Sequence, residues 1–360
     1  DLHASNLIKE LKLKDTNADF RCWGGDLMQK QGGVLVKHYR DLAFMGFVEV
    51  LFNLRTILNN ISFCKKDITD YKPDALILVD YPGFNLRIAE FAKKAGIKVF
   101  YYISPQIWAW KQSRVKKIQR DVDKMFVILP FEKDFYKKHN VEVDFVGHPL
   151  LDAILDYSEK ADVSSFKANN GLGDKPIIAI LPGSRKQEIT KMLPIMLSVI
   201  NEFKDYQFVI AGASFLPVEL YQGIIKNADV KVVIDKTYDL LSSAEAGLIT
   251  SGTATLETAL FELPEVVCYK ANFISYKIAK SIVKIKFISL VNLVMDKEIV
   301  KELIQSELNA KNIIVELKEL LKNQNKRREI SENFKILKEK LGGGGASAKT
   351  ASLIYKEVNK

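Results

Sequence analysis

Short apolar segments alternate with helix-forming segments along most of this 360-residue chain. Ala75–Val79, Ile177–Leu181 and Ala246–Ile249 are examples, and a polar or Pro-containing turn follows each of them. Strands that are apolar throughout are buried on both faces, as in a parallel sheet covered by helices. The alternation stops at residues 156–175, which are polar and contain glycine, and then resumes. We therefore predict two α/β domains, each built on a doubly wound parallel sheet.

The domain boundaries follow from this interruption. We place the first domain at residues 1–160 and the second at residues 161–340. The chain from residue 297 onwards is predicted to be almost entirely helical, and Gly342–Gly345 separates a last helix from the rest. We expect residues 341–360 to pack back on the first domain. Because ligands of such folds bind at the carboxyl ends of strands, we expect the two domains to face each other across a cleft.

Composition excludes several classes of protein. The hydrophobic content of 48% and charged content of 27% are those of a globular protein, and no apolar run approaches the ~20 residues of a membrane-spanning helix. Three separated cysteines and four scattered histidines predict no disulfide framework, no metal site and a reducing cytoplasm. The net charge of +9 is compatible with an anionic membrane or a phosphorylated substrate. We give nucleic acid little weight as a partner.

The turn Ser251-Gly252-Thr253 lies between an apolar strand and a segment of strong helix formers. This arrangement points backbone N–H groups and the positive end of the helix dipole at an anion. Glu257, one turn into the helix, is placed to accept hydrogen bonds from a ribose diol. An ordinary helix cap is the alternative interpretation of this turn.

The turn Gly183-Ser184-Arg185 also follows a strand and precedes a helix. The guanidinium of Arg185 fits the oxygens of a diphosphate, although it can instead pair with Glu188 at the surface. Two anion-binding turns in one domain favour a nucleoside diphosphate as ligand.

Asp80 ends an apolar strand in the first domain and precedes a turn that contains Pro82 and Gly83. A carboxylate in that place can act as a general base if its surroundings raise its pKa. The alternative is a carboxylate that caps the next turn or helix. Asn85 is expected to cap the following helix or to contact a sugar hydroxyl.

A long amphipathic helix is predicted from Phe47 to about Lys65. Val48, Phe52 and Phe63 lie off its main apolar face, so we expect contact with lipid or a partner, or burial of the helix on two sides. Trp108 and Trp110 lie in a loop that precedes a basic helix, where sugar stacking, lipid contact and packing all stay open. The main apolar face, which we expect in the core, comprises Phe47, Val50, Leu51, Leu54, Ile57, Leu58 and Ile61.

Several motifs together resemble the lipid-A-disaccharide synthase family. They occur in order along nearly the whole chain, which makes the resemblance far more specific than any single motif. The matching stretches are Asp-Leu-His-Ala-Ser (1–5), Trp-Gly-Gly (23–25), Met-Gly-Phe-Val-Glu-Val-Leu (45–51), Val-Asp-Tyr-Pro-Gly-Phe-Asn (79–85), Tyr-Ile-Ser-Pro-Gln-Ile-Trp-Ala-Trp (102–110), Phe-Val-Gly-His-Pro (145–149), Leu-Pro-Gly-Ser-Arg (181–185), Ser-Gly-Thr-Ala-Thr-Leu-Glu (251–257), Asn292-Leu293 and Lys-Glu-Leu-Ile-Gln (301–305).

The resemblance implies a GT-B fold, two Rossmann-like domains with the active site between them. It implies an inverting transfer of 2,3-diacylglucosamine from UDP to 2,3-diacylglucosamine 1-phosphate, giving a β(1→6) disaccharide 1-phosphate and UDP. No cofactor or metal is implied. The enzyme is expected at the cytoplasmic face of the membrane as a peripheral protein, and a homodimer stays open. Another GT-B enzyme of UDP-sugars, an epimerase or a peptidoglycan glycosyltransferase, and a non-catalytic nucleotide- or lipid-binding protein are the alternatives.

The resemblance also implies roles for individual residues. Asp80 would deprotonate the acceptor hydroxyl. The UDP moiety would be held by Gly183, Ser184, Arg185, Ser251, Gly252, Thr253, Glu257 and Asn292. Contact with the acceptor, lipid or membrane would involve Asn85, Val48, Leu51, Phe52, Trp108 and Trp110.

Two departures from the family pattern bear on these roles. The family begins with a strand and a Gly-Glu-x-Ser-Gly-Asp loop, of which only Asp1 is expected to remain here. Many relatives have aspartate where this chain has Gly83, so Asp80 is the one carboxylate expected to act in this segment.

Overall fold

A computed structural model shows that the chain forms two compact units. Unit 1 comprises Asp1–Asp152 and Leu341–Lys360, and unit 2 comprises Ala153–Lys340. The predicted lipid-contact residues Val48, Leu51 and Phe52 lie outside the described residues. The structure describes residues 1–41, 53–159, 165–272, 276–277, 280–281, 283 and 285–360.

The described residues of unit 1 form two parallel sheets. The smaller sheet pairs β1 (Arg21–Gly24) with β2 (Val34–His38). The larger sheet has the order β3-β4-β5-β6, formed by β3 (Ala75–Val79), β4 (Lys98–Tyr102), β5 (Lys124–Val127) and β6 (Asp144–Phe145). The helices are α1 (Leu2–Lys14), α2 (Asp26–Lys30), α3 (Leu54–Tyr71), α4 (Pro82–Lys94), α5 (Val115–Asp121), α6 (Pro130–Lys137), α7 (Pro149–Ser158), whose last residues belong to unit 2, and α16 (Ala346–Val358), with short 3-10 turns at Tyr39–Asp41 and Gln112–Arg114.

Strand β4 shows why the segments of the larger sheet are apolar throughout. Val99 and Tyr101 face a core formed with α4 and α5. Phe100 and Tyr102 face a second core, in which α1 and α16 cover the other side of the sheet. Both faces of the strand are therefore buried, as the continuous apolar pattern predicts.

Helix α16 is fixed to unit 1 at its first residues. The carboxylate of Asp152 accepts hydrogen bonds from the backbone N–H groups of Gly345 (2.6 Å) and Ser347 (2.9 Å). A carboxylate in this position satisfies N–H groups that have no partner within the helix and is favoured by the helix dipole. Ala351 and Ile354 of this helix are at most 2% exposed.

The buried face of α3 differs from the predicted face. Leu54 and Leu58 were expected in the core, but they are 47% and 53% exposed, so that prediction is wrong. The helix continues to Tyr71, and its buried side carries Ile61, Cys64 and Ile68. Buried Asp67 also orients this face. Its carboxylate forms an ion pair with Arg21 of β1 (2.7 Å) and accepts a hydrogen bond from the indole N–H of Trp23 (2.9 Å). Phe63 is 46% exposed, and its ring lies 5.3 Å from that of Trp23.

Unit 2 contains one parallel sheet of six strands in the order β12-β11-β10-β7-β8-β9. The strands are β7 (Ile177–Leu181), β8 (Gln207–Gly212), β9 (Val230–Ile234), β10 (Ala244–Thr250), β11 (Glu265–Tyr269) and β12 (Lys301–Ile304). The helices are α8 (Phe166–Asn169), α9 (Lys186–Leu197), α10 (Val218–Ile225), α11 (Thr237–Ser243), α12 (Thr253–Leu260), α13 (Leu290–Met295), α14 (Ala310–Lys322) and α15 (Gln324–Lys340), with a 3-10 turn at Ile200–Glu202.

The order of the strands in unit 2 locates its expected ligand site. From β7 the chain proceeds outward through β8 and β9, then returns to β10 on the other side of β7 and proceeds outward through β11 and β12. This is the order of dinucleotide-binding folds, and the direction reverses between β7 and β10. Ligands of such sheets bind at that reversal, beyond the carboxyl ends of the strands.

Strand β12 corrects the prediction of a wholly helical segment after residue 297. Lys301–Ile304 pairs with β11 along its length, and Glu302 and Leu303 are buried. A four-residue segment with two charged residues has no strand pattern of its own, so pairing with β11 decides its structure. Among the described residues, no helix combines the length and apolar character needed to cross a membrane.

Candidate active site

The backbone at the carboxyl ends of β3 and β4 adopts unusual conformations. Asp80 and Tyr81 both have φ near +46°, and Ile103, which follows β4, has φ of +63°. Such conformations cost about 1–3 kcal/mol for residues other than glycine and occur often at functional sites. Because β3 and β4 are parallel neighbours, these residues lie at the same edge of the sheet.

Hydrogen bonds hold the backbone of Asp80 in this conformation. The side-chain amide of Asn85 donates to the carbonyl oxygens of Val79 (3.1 Å) and Asp80 (2.7 Å). The hydroxyl of Tyr101 also donates to the carbonyl of Asp80, at 2.5 Å. The side chain of Asp80 therefore extends from a fixed backbone. Asn85 lies inside α4 and does not cap that helix, so this expected role is wrong. Its contact with a sugar hydroxyl stays a prediction.

The carboxylate of Asp80 has the environment that a general base needs. The side chain reaches solvent, yet the surrounding protein partly desolvates it and raises its pKa above the ordinary value. A hydrogen bond from the N–H of Tyr81 acts in the opposite direction and favours the charged form. A carboxylate that is accessible and has a raised pKa can accept a proton from a hydroxyl group.

A buried carboxyl group holds the turn between β5 and α6. Oε2 of Glu132, which is 1% exposed, accepts hydrogen bonds from the N–H groups of Leu129 (2.9 Å) and Ile128 (3.2 Å). Burial raises the pKa of Glu132 to about 7, although the hydrogen bonds from the backbone oppose the shift. Glu132 is not among the predicted site residues, but the sequence carries a signal for it, since glutamate at the third helical position after a proline is a capping pattern.

We expect Glu132→Gln to change how the stability of unit 1 depends on pH. Because the folded state raises the pKa of this carboxyl from 4.5 to about 7, the folded protein holds the proton more tightly than the unfolded chain. The free energy of unfolding should therefore fall as pH rises from 4.5 to 7, by up to about 1.4 kcal/mol per pH unit. Glutamine should abolish that part of the slope.

Urea unfolding between pH 5 and 8 measures this effect. All three tryptophans, Trp23, Trp108 and Trp110, belong to unit 1, so their fluorescence reports on that unit. Glu142→Gln, at an exposed position of unit 1, is the matched control. Equal pH slopes in the wild type, Glu132→Gln and the control would contradict the prediction.

In unit 2, the turn after β7 already binds a carboxylate. Glu188 accepts hydrogen bonds from the N–H groups of Ser184 (3.2 Å) and Arg185 (3.3 Å), and it pairs with the guanidinium of Arg185 at 2.9 Å. Gly183 has φ of +109°, and a Cβ there would lie 2.7 Å from Oε2 of Glu188, so glycine is required. The ion pair considered from the sequence is thus present, and the same donors suit a phosphate group.

The turn after β10 lies beside this first turn. Ile249 of β10 pairs with Leu181 of β7, so both turns lie at the reversal point of the sheet. Ser251 is held by the sheet and the following loop, because its N–H donates to the carbonyl of Cys268 and its hydroxyl to that of Ile288 (both 3.0 Å). Gly252 and Thr253 are exposed, and the first N–H groups of α12 have no partner within the helix. The structure thus brings the two predicted turns together.

Glu257 lies in α12, one turn beyond Thr253. Its Oε1 accepts a hydrogen bond from the hydroxyl of Tyr238 at 3.2 Å, and burial raises its pKa. A half-buried carboxyl group held on one side in this way retains acceptor capacity for a ribose diol. Its role with ribose stays a prediction.

Asn292 occupies a different environment from the other predicted nucleotide contacts. It is fully buried, its oxygen accepts the N–H groups of Ile299 (2.7 Å) and Val300 (3.1 Å), and its amide donates to Glu302 (2.9 Å). Glu302 in turn accepts the N–H of Ile288, whose carbonyl receives the hydroxyl of Ser251. The structure therefore gives Asn292 the role of holding the loop behind the Ser251 turn, and direct contact with UDP stays a prediction.

The described residues contain no group of three or more histidine, cysteine, aspartate or glutamate side chains arranged to hold a metal ion. Arg185 and the N–H groups of the two turns can balance the charge of a diphosphate.

Comparison with known proteins identifies the family to which this chain belongs. The sequence model of the lipid-A-disaccharide synthetase family matches residues 1–357. Lipid-A-disaccharide synthase from Syntrophus aciditrophicus is 38% identical over the whole chain and 95% of its own length, and that from Trichlorobacter lovleyi is 37% identical with the same coverage.

Among solved structures, UDP-GlcNAc 2-epimerase from Neisseria meningitidis bound to UDP-GlcNAc has a TM-score of 0.69 at 16% identity, covering 98% of this chain and 95% of its own. At this identity the likeness shows the GT-B fold alone. The full-length sequence match decides the family, and the chain belongs to the lipid-A-disaccharide synthases, which are glycosyltransferases.

Proposed function

We propose that this enzyme transfers 2,3-diacylglucosamine from UDP to the 6-hydroxyl of 2,3-diacylglucosamine 1-phosphate, forming the β(1→6) disaccharide 1-phosphate and UDP. The observation that supports this reaction most directly is the similarity to lipid-A-disaccharide synthases over the entire chain. A UDP-sugar and a lipid are accordingly its substrates.

The geometry suggests how each unit contributes. In unit 1, Asp80 removes the proton of the acceptor hydroxyl as that oxygen attacks the anomeric carbon of the donor, with inversion. In unit 2, Arg185 and the turns Gly183–Arg185 and Ser251–Thr253 bind the diphosphate and stabilise the charge that develops on the leaving UDP. Glu257 binds the ribose.

We also propose that the enzyme acts as a peripheral protein at the cytoplasmic face of the membrane that supplies its lipid substrates. Leu54 and Leu58, which lie one turn apart on α3, support this proposal, because each is about half exposed (47% and 53%). Apolar side chains exposed together on one helix suit the interface between lipid head groups and acyl chains.

Release of UDP tests the reaction. We expect the purified protein to release UDP from UDP-2,3-diacylglucosamine only when 2,3-diacylglucosamine 1-phosphate is present, with the disaccharide 1-phosphate detected by mass spectrometry. An epimerase would change the donor without the acceptor, and a binding protein would release no UDP. UDP release that is independent of the acceptor would overturn the proposal.

A further inference from the structure

Two cations lie against the exposed ring of Trp110. The Nζ atom of Lys111 is 4.4 Å from the ring centroid, and Cζ of Arg114 is 5.6 Å from it. Both distances fall within the range of cation–π interactions. Trp110 remains 42% exposed, and Lys111 has φ of +54°, a conformation that is rare for lysine. The loop therefore presents a flat aromatic surface together with two positive charges.

Neither cation is neutralised by a carboxylate within the described part of the chain. Arg120, further along the same basic segment, shows the contrast, since it pairs with Asp121 (2.7 Å) and Glu90 (3.3 Å). An arginine that is already paired with carboxylates has few hydrogen-bond donors left for a ligand. The side chains of Lys111 and Arg114 keep their donors available to an anion.

These cations belong to the same side of unit 1 as Asp80. Their loop follows β4, and Asp80 follows the neighbouring parallel strand β3. Tyr101 connects the two places, because its hydroxyl donates to the carbonyl of Asp80. Burial and the charge of Asp80 raise the pKa of this tyrosine, while the charge of Arg114 lowers it, so the charges of Asp80 and Arg114 both act on the same hydroxyl group.

We propose that Lys111 and Arg114, held on the ring of Trp110, form a phosphate subsite of unit 1 that recognises the phosphate monoester of the acceptor sugar. This inference rests on the proposed function. A phosphate monoester carries nearly two negative charges at pH 7, and the guanidinium fork of Arg114 can bind two of its oxygens. The exposed part of Trp110 can contact the sugar ring. Since the reacting hydroxyl and the phosphate belong to one sugar, binding the phosphate here orients that hydroxyl relative to Asp80.

The phosphate of an anionic lipid head group has the same chemistry and is the competing occupant. Aromatic and basic side chains together are also typical of membrane surfaces. The two sources differ in one respect that can be measured. An acceptor subsite discriminates between acceptors with and without the phosphate, whereas a membrane surface changes the partition of the enzyme to vesicles.

The experiment combines the double variant Lys111→Met/Arg114→Gln with two detergent-solubilised acceptors, 2,3-diacylglucosamine 1-phosphate and the same sugar without phosphate. We expect kcat/KM for the phosphorylated acceptor to fall about 100-fold, mainly through KM, because each charged hydrogen bond contributes about tenfold. The kcat/KM for the unphosphorylated acceptor and the KM for the UDP-sugar should change less than about threefold. The variant Lys116→Met/Lys117→Gln, at two exposed positions of α5, is the charge-matched control.

Other outcomes overturn the subsite. Equal losses of kcat/KM with both acceptors would show that the two side chains stabilise the loop and do not recognise the phosphate. An unchanged preference for the phosphorylated acceptor, together with weaker sedimentation with phosphatidylglycerol vesicles than the control shows, would assign them to the membrane surface. A wild-type protein without transferase activity would instead refute the proposed function. Calorimetric titration with the acceptor 1-phosphate would then still test the subsite, and equal affinities of the wild type and the double variant would exclude it.

Discussion

Asp80→Asn should lower the turnover number about 10²–10⁴-fold while UDP binding stays unchanged. Asparagine is nearly isosteric with aspartate but cannot accept a proton at neutral pH. The hydrogen bonds that fix this residue use its backbone carbonyl and N–H groups, so the substitution leaves them in place. For the wild type, kcat/KM should fall in acid, with an apparent pKa above the ordinary 3.8 because the surroundings of Asp80 raise its pKa.

Asp74→Asn is the matched control, since it makes the same chemical change at the exposed, opposite end of the same strand. Steady-state kinetics with both substrates and calorimetric titration with UDP measure the two effects. Equal turnover numbers in Asp80→Asn and the wild type would remove Asp80 from the mechanism.

Arg185→Gln should weaken UDP binding about 10–100-fold, because the diphosphate loses a charged, bidentate partner. The kcat/KM for the UDP-sugar should fall at least as far, since the charge of the leaving UDP grows in the transition state. The variant also leaves Glu188 at the turn without its cation, which opposes an incoming anion further.

Arg328→Gln, at an exposed position of unit 2, controls for the general loss of positive charge. Calorimetry at two salt concentrations separates the specific contact from long-range attraction, which salt screens. A dissociation constant for UDP that is unchanged in Arg185→Gln would place the diphosphate away from this turn and leave Arg185 as the surface partner of Glu188.

The sequence predicts the bounds of the strands better than it predicts the contacts of buried polar side chains. Ala75–Val79 and Ile177–Leu181 are strands with the predicted bounds, because segments that are apolar throughout suit a sheet covered on both faces. The places of Asp80 and Ser251 after strands follow from the same pattern. Their chemical roles stay predictions.

The remaining features depend on contacts between distant segments. Lys301–Ile304 becomes a strand because β11 lies beside it, and Leu54 and Leu58 are exposed because other residues of α3 face the core. The local pattern of apolar residues predicts neither this strand nor this exposure. The side chain of Asn292 is hydrogen-bonded to Ile299, Val300 and Glu302, and its contact with the nucleotide stays a prediction. Only the fold shows that such a side chain points inward.

Unit 1 is assembled from both ends of the chain, and this has a consequence for biosynthesis. A ribosome completes residues 1–152 and the whole of unit 2 before it reaches the segment that becomes α16. Until then, the side of the sheet that carries Phe100, Tyr102 and Phe126 lacks part of its apolar cover. Unit 2 is contiguous and can fold while translation continues, whereas the sheet of unit 1 gains its full apolar cover only when α16 is released.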